Sequence, residues 1–137
     1  MQKLSIRPSS IILASIFLST FGGIWYGLLF RDVQISAHRY TAEEYANDNP
    51  IWYIGGVLIS LLIAWGISLI IRLKGEPGIR AGISASLKAV IGFGLPLVSY
   101  PLVFSPLHDL QLYAVGLSQI IIGWTVAGAI VGGMIKK

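Results

Sequence analysis

Lys88 is the one ionisable side chain set deep inside a long apolar run of this 137-residue chain. Counted from the turn near Gly78, it lies about ten residues into a helix, or roughly 15 Å from that end. A charge near the bilayer middle costs about 2.5–3.5 kcal/mol on insertion scales, so such a residue is a functional candidate by default. Two readings follow. The stem can lie on apolar surface while the amine snorkels back to the interface, which is the simpler reading. Alternatively the amine faces inward and meets a lipid phosphate, a ligand anion or a partner's carboxylate. No Asp or Glu lies within any of the long apolar segments, which argues against a proton-coupled exporter of the small multidrug type, since that machinery needs an intramembrane carboxylate. Gln119, beside Ser118, is the next polar spot. It suits an interhelical hydrogen bond worth about 0.6 kcal/mol, with ligand orientation as the alternative. His38 and the pair His108-Asp109 could in principle hold a metal, but no His pair at helical spacing and no HExxH occurs. Solvated, interfacial histidines are the preferred reading. Cysteine is absent, which excludes thiol redox chemistry, disulfides and thiolate metal sites. With no phosphate loop, no nucleophile–base pairing and no paired carboxylates, the expectation is a protein that is not an enzyme and carries no cofactor.

A second group of candidates is aromatic. Trp25, Tyr26, Phe30, Trp52, Tyr53, Tyr100, Phe104 and Tyr113 all fall at the same ends of the apolar segments. An interfacial belt explains most of them. The opposite ends carry Lys and Arg instead, so the cluster is also a candidate contact surface for a hydrophobic ligand, a pigment or a partner helix.

The elements that must position these residues are membrane-spanning helices. Hydrophobic residues make up 55% of the chain and charged ones 12%, about half the usual charged share for a soluble protein. Uncharged stretches run over 8–30, 49–71, 89–108 and 110–135, each long enough to cross a hydrocarbon core of roughly 30 Å. The reading is an all-α, integral membrane four-helix bundle in one domain covering 1–137. Its helices span roughly 9–30, 51–72, 78–104 and 110–135. The first segment follows Lys3 and Arg7 like a signal peptide, but its length and Trp25-Tyr26 at the cleavage position favour a retained anchor. Lys74-Gly-Glu-Pro-Gly78 makes helices 2 and 3 an antiparallel hairpin. In the loop 31–50, Thr41-Ala-Glu-Glu44 has capping-box spacing, predicting one or two turns of surface helix over 42–47. Pro96, Pro101 and Pro106, with Gly92 and Gly94 before them, predict a third helix kinked or broken at its outer end.

The basic residues set the orientation. Lys3, Arg7, Arg72, Lys74, Arg80, Lys136 and Lys137 fall on one side, and only Arg31 and Arg39 in the loop opposite. The net charge of +4 is therefore an orientation signal rather than a nucleic-acid surface. The positive-inside rule puts both termini in the cytoplasm, as expected of a multi-pass protein of a bacterial inner membrane.

Small residues recur at intervals of four: Ser15, Ser19, Gly23 and Gly27; Gly56, Ser60, Ala64 and Ser68; Gly78, Gly82 and Ser86; Gly128 and Gly132. Between helices in lipid, such stripes allow the close backbone approach that supplies packing. Gly23, Gly27, Gly56, Gly82, Gly128 and Gly132 are the expected packing positions, with any surplus stripe left for an oligomer or a larger complex. Tyr26–Phe30 also echoes Tyr100–Phe104, and Leu61–Trp65 echoes Ile120–Trp124, as a parallel repeat of two hairpins would.

At Gly23-Ile-Trp-Tyr-Gly-Leu-Leu-Phe30 the chain resembles a family of small bacterial four-helix membrane proteins catalogued as domain of unknown function 1761. That family ends its first helix with a Gly-x-x-Trp-Tyr-x-x-x-Phe-like motif. Thr41-Ala-Glu-Glu44 and the Gly-rich third helix, Ala81-Gly-Ile-Ser to Gly92-Phe-Gly94, match it as well. The chain departs from it at Phe104-Ser-Pro-Leu-His108, where a Phe-Glu-Gly-Arg-like turn is expected. The resemblance implies the four-helix fold and no established activity.

Two functional expectations remain. The first is an accessory or assembly subunit, packed in the bilayer against other membrane subunits or against its own copies. The second is a small transporter or binder of a lipid, pigment or other hydrophobic ligand. It would use Lys88, Gln119 and the aromatics Trp25, Tyr26, Trp52, Tyr53 and Tyr100.

Overall fold

The computed structural model describes residues 4–39, 41, 43–44, 49–106 and 108–135. Helix α1 (Pro8–Ile24) opens with Pro8 at its first turn, where the missing amide has no intrahelical partner to lose. It passes into a π turn at Trp25–Leu29 and then into α2 (Arg31–His38), a short helix at the loop end of the bundle. Helix α3 (Ile51–Lys74) starts beside Asn49, whose Oδ1 accepts from the Ile51 amide at 3.0 Å, and stops at Gly75, φ +73°. In that turn Lys74 pairs with Glu76 at 2.7 Å. Helix α4 (Ile79–Ala89), a second π turn (Val90–Gly94) and α5 (Leu95–Phe104) follow without interruption. Helix α6 (Leu110–Met134) is capped by Asp109, whose carboxylate accepts from the Leu112 amide at 2.9 Å. Pro8–Leu29, Ile51–Lys74, Ile79–Phe104 and Leu110–Met134 are each long and apolar enough to cross a membrane.

Three expectations need correction. The third span is not broken at its prolines. It runs as helix to Phe104 with Pro101 in its interior, and the irregularity lies earlier, at Val90–Gly94. A proline ring clashes with the carbonyl four residues back, which for Pro96 belongs to Gly92. The wider π turn holding Gly92 relieves that clash before the proline arrives. Pro106 does mark the end, because Ser105 before it is extended at φ −89°, ψ 139°, as a residue preceding proline prefers. The loop 31–50 also holds a helix that the sequence reading does not place there, since α2 occupies its first half. The capping box is present: Thr41 Oγ1 accepts from the Glu44 amide at 3.1 Å and Glu44 Oε2 accepts from the Thr41 amide at 2.8 Å. Of the surface helix predicted over 42–47, residues 43–44 are helical, and 42 and 45–47 lie outside the described residues.

The third correction concerns the small-residue stripes. Helices α4 and α6 cross backbone to backbone: a Cβ on Gly82 would overlap the Gly128 carbonyl, and one on Gly132 would come within 2.5 Å of Gly78 O. The Gly78 amide donates to Gly132 O at 3.0 Å across this crossing. Gly23, Gly27 and Gly56, by contrast, have open space where a Cβ would stand. Spacing reports the capacity for close approach and cannot choose the partner. The suggested hairpin repeat fails for a related reason. Trp65 is 52% exposed whereas Trp124 packs against the core.

Packing divides the bundle into two halves. At the end carrying Leu4 and Ile135 the core is built from Ala14, Ala64, Ala85 and Ala127 with Ile67, Ile71 and Val131. Buried Ser60, Ser68 and Ser86 bond back into their own helices, as Ser86 Oγ does to Gly82 O at 3.0 Å. In lipid this close packing of small side chains replaces a hydrophobic driving force. Towards the loop end, no residue of 51–59 or of α5 is buried, and burial is kept at Val115, Gly116 and Ile120 of α6 and at Ala37 of α2.

Candidate functional site

The loosely packed half holds a cleft of about 520 Å³ between Tyr26, α2, α5 and the start of α6. Its walls are apolar: Leu97, Val98, Pro101 and Leu102 from α5, Leu112 from α6 and Ala37 from α2. Its polar groups are Tyr26, Gln34, His38, Ser105, Asp109 and Tyr113. A concave apolar site of a few hundred Å³ with a few convergent polar groups is the usual form of a small-molecule site.

Local sequence explains each part. In the first span an aromatic row runs Phe17–Phe21–Trp25–Phe30, with ring centroids 5.5, 5.1 and 4.9 Å apart. The first steps are four residues and the last is five. The π turn makes that possible: the Phe30 amide bonds to Trp25 O at 2.9 Å, so the rings stay stacked over a wider turn. Trp25 Nε1 then donates to Val115 O at 3.1 Å, fixing the top of the first span against α6. Tyr26, the next residue, lines the cleft. The floor is open because residue 116 is glycine. A Cβ there would stand 3.3 Å from Val98 Cγ1 and 3.6 Å from the Tyr26 hydroxyl.

The polar edge is assembled from helix ends. Helix α2 finishes at His38, whose Nδ1 lies 3.0 Å from Gln34 O. A carbonyl only accepts, so Nδ1 carries the proton and Nε2 is the acceptor nitrogen of the neutral ring. Helix α5 finishes at Phe104, and His108 closes its end, with Nδ1 2.7 Å from Leu102 O and a backbone φ of +41°. Helix α6 begins at the same place with Asp109 as its cap. Ser99 Oγ donates to the Tyr113 hydroxyl at 3.2 Å, tying α5 to α6.

The residues singled out from sequence scatter. Tyr26 is in the cleft. Trp25 is half-buried and committed to Val115, so it acts in packing. Tyr100, 63% exposed, stacks on Phe104 at 4.5 Å outside the lining, and Trp52 and Tyr53 are 70% and 73% exposed on α3. Gln119 is half-buried on α6, its Nε2 3.8 Å from where a Gly22 Cβ would be, so it lies at the contact with α1. Lys88 is exposed on α4 and makes no hydrogen bond or ion pair among the described residues. His38 and Asp109 were singled out as possible metal partners and do meet at one site, but among the described residues no three His, Asp or Glu side chains converge. Gln34 and Ser105 were missed as site residues, while Tyr113 of the aromatic cluster lines the cleft. The available signal was the charge pattern of α2, with Asp32 in its first turn and His38 in its last, which suits the helix dipole.

A family model described as "Protein of unknown function (DUF1761)" matches residues 9–132. No curated protein and no solved structure matches the chain. The chain belongs to the DUF1761 family.

Proposed function

We propose that this chain is a non-catalytic multi-pass membrane protein that binds an amphipathic ligand in the cleft between Tyr26, α2, α5 and α6. The cleft itself carries the reading: apolar walls continue into the span, while the polar groups gather at the loop end, where water meets the bilayer. A tail along Leu97, Pro101 and Leu102 would leave its head group beside Gln34, His38 and Asp109. The basic residues Arg7, Arg72, Lys74 and Arg80 at the other end favour a cytoplasmic position for both termini in a bacterial inner membrane. The test is extraction and mass analysis of what co-purifies with the protein in mild detergent. Gly116→Leu fills the floor, and Leu102→Trp narrows a wall. Both variants are expected to lose a bound amphiphile that the parent retains. Retention by both variants, at parental stability, overturns the reading.

A second reading, an accessory subunit of a larger membrane complex, is favoured by one observation. The half of α3 from Ile51 to Ile59 has no buried residue, and Gly56 has no atom within 4 Å of a Cβ position. A partner helix would fit there. Gly56→Leu should then release a co-migrating subunit without changing the stability of the isolated protein.

A further inference from the structure

We infer that the cleft selects an amphiphile with a positively charged amine head group and a single hydrocarbon tail. The inference rests on the cleft being a ligand site and concerns which ligand. Among the described lining residues the one fixed formal charge is the Asp109 carboxylate. Its Oδ1 caps α6 by accepting from the Leu112 amide, so the carboxylate offsets the positive end of that helix. The other two helix ends at the cleft are C-termini. Helix α2 ends with Ala37 and His38 in the lining, and α5 ends with Pro101, Leu102 and then Ser105. Helix C-termini carry the negative end of the macrodipole and favour cations. Tyr26 and Tyr113 also line the cleft, and a tyrosine ring attracts an ammonium group that comes to its face.

The positive charges on α2 do not reverse this balance. Arg31 and Arg39 are exposed and outside the lining, where solvent and salt screen them. His38 is the lining group able to become cationic, and its Nδ1 is already turned to Gln34 O. A phosphate or carboxylate head group would face Asp109 and two helix C-termini, with no Arg or Lys among the described lining residues to receive it. The volume of about 520 Å³ suits a drug-sized molecule with one tail rather than a two-chain lipid.

The experiment uses the full chain in a non-ionic detergent at neutral pH with three probes of equal tail length: dodecylamine, dodecanol and dodecanoate. Affinities are measured by calorimetric titration for the parent, Asp109→Asn and Asp109→Ser. Asn and Ser are both good helix caps, so each removes the charge and keeps the hydrogen bond to Leu112. Micelle partitioning is common to all three proteins, so the informative quantity is the ratio between parent and variant. The expected result is an amine preference of about tenfold over the alcohol, lost in both variants. Equal binding of the three probes, preference for dodecanoate, or undiminished amine binding in the variants overturns the inference and leaves the cleft as a ligand site. Failure of all three probes to bind overturns the cleft reading itself.

Discussion

Substituting Gly132 by alanine tests whether the crossing of α4 and α6 holds the bundle together. The added Cβ would stand 2.5 Å from Gly78 O and 2.9 Å from Gly82 Cα, against about 3.4 Å for an ordinary contact. Both obstacles are backbone, so no side chain can rotate away. Restoring ordinary contact moves the helices apart by about 0.9 Å at that point. The same movement stretches the 3.0 Å bond from the Gly78 amide to Gly132 O beyond hydrogen-bonding range. Overpacking typically costs about 1–3 kcal/mol, and loss of an interhelical hydrogen bond adds about 0.6 kcal/mol. Gly132→Ala is therefore expected to destabilise by about 2–4 kcal/mol. The assay is reversible unfolding in mixed micelles followed by tryptophan fluorescence, to which Trp124, packed against the core, contributes. The controls are Gly23→Ala, Gly27→Ala and Gly56→Ala, whose Cβ atoms meet nothing within 4 Å. They should change stability by less than about 0.5 kcal/mol. A neutral Gly132→Ala, or equal losses from the controls, would refute the assignment of the packing seam.

Other outcomes follow from single interactions. Trp25→Phe keeps the aromatic row but loses the bond to Val115 O. It should cost about 0.6 kcal/mol and at most about 1.7 kcal/mol, read in the same unfolding assay. Lys88→Met keeps the stem's apolar contacts and removes an exposed amine without a protein partner. Stability and recovery of bound amphiphile should stay unchanged, and loss of either would give Lys88 an interior or partner role. The Thr41 amide and hydroxyl both donate to Glu44, holding its carboxyl below the ordinary range. A lowered folded-state value means that the stabilising contribution is present above the ordinary carboxylate pKa and is lost as pH falls through the folded value. NMR titration should show the Glu44 midpoint rising in Thr41→Ala, and an unmoved midpoint would contradict the capping box. A protease site inserted near Asn47 should be cut from outside spheroplasts while tags on both termini are protected, and the reverse pattern would invert the orientation.

The four spans were legible because hydrophobic length is a property of composition, and their observed ends lie within a few residues of those read from charge and turn residues. Asp109, Gly75 and the Thr41–Glu44 box are local signals that need no tertiary context. The stripes were half legible. Gly82, Gly128 and Gly132 meet a partner, but Gly23, Gly27 and Gly56 do not, because partner choice depends on which helices become neighbours. The π turns left a trace that hydropathy does not capture. Aromatic spacing at 17, 21, 25 and 30 contains the extra residue, and Pro96 after Gly92 marks the second. The cleft was the least legible feature. Its polar groups come from three separate segments, none of which forms a motif alone, and α2 is too short and polar to register as a span.

The division into a tight half and a loose half also explains where a site can exist in so small a protein. Gly82, Gly128 and Gly132 bring backbones into contact, and that crossing leaves no room for a ligand. Above it, two of the spans that flank the cleft insert one π turn each, Trp25–Leu29 in the first and Val90–Gly94 in the third. An extra residue rotates the following helix face by about 100° relative to a regular helix. Leu97, Val98, Pro101 and Leu102 therefore face the cleft at positions that an uninterrupted α-helix from Ile79 would turn elsewhere. In the first span the same device keeps Phe30 on the aromatic row, while Tyr26 lines the cleft. Lipid imposes no penalty for separating apolar helices comparable to that of water, so α3 and α5 can stand apart at this end without unfolding the bundle. The polar groups need water or a ligand within reach, and the loop end supplies it. The two π turns sit at different depths: Trp25–Leu29 lies at the cleft itself, whereas Val90–Gly94 lies the length of α5 away from its rim and sets which face of Leu95–Phe104 the cleft meets.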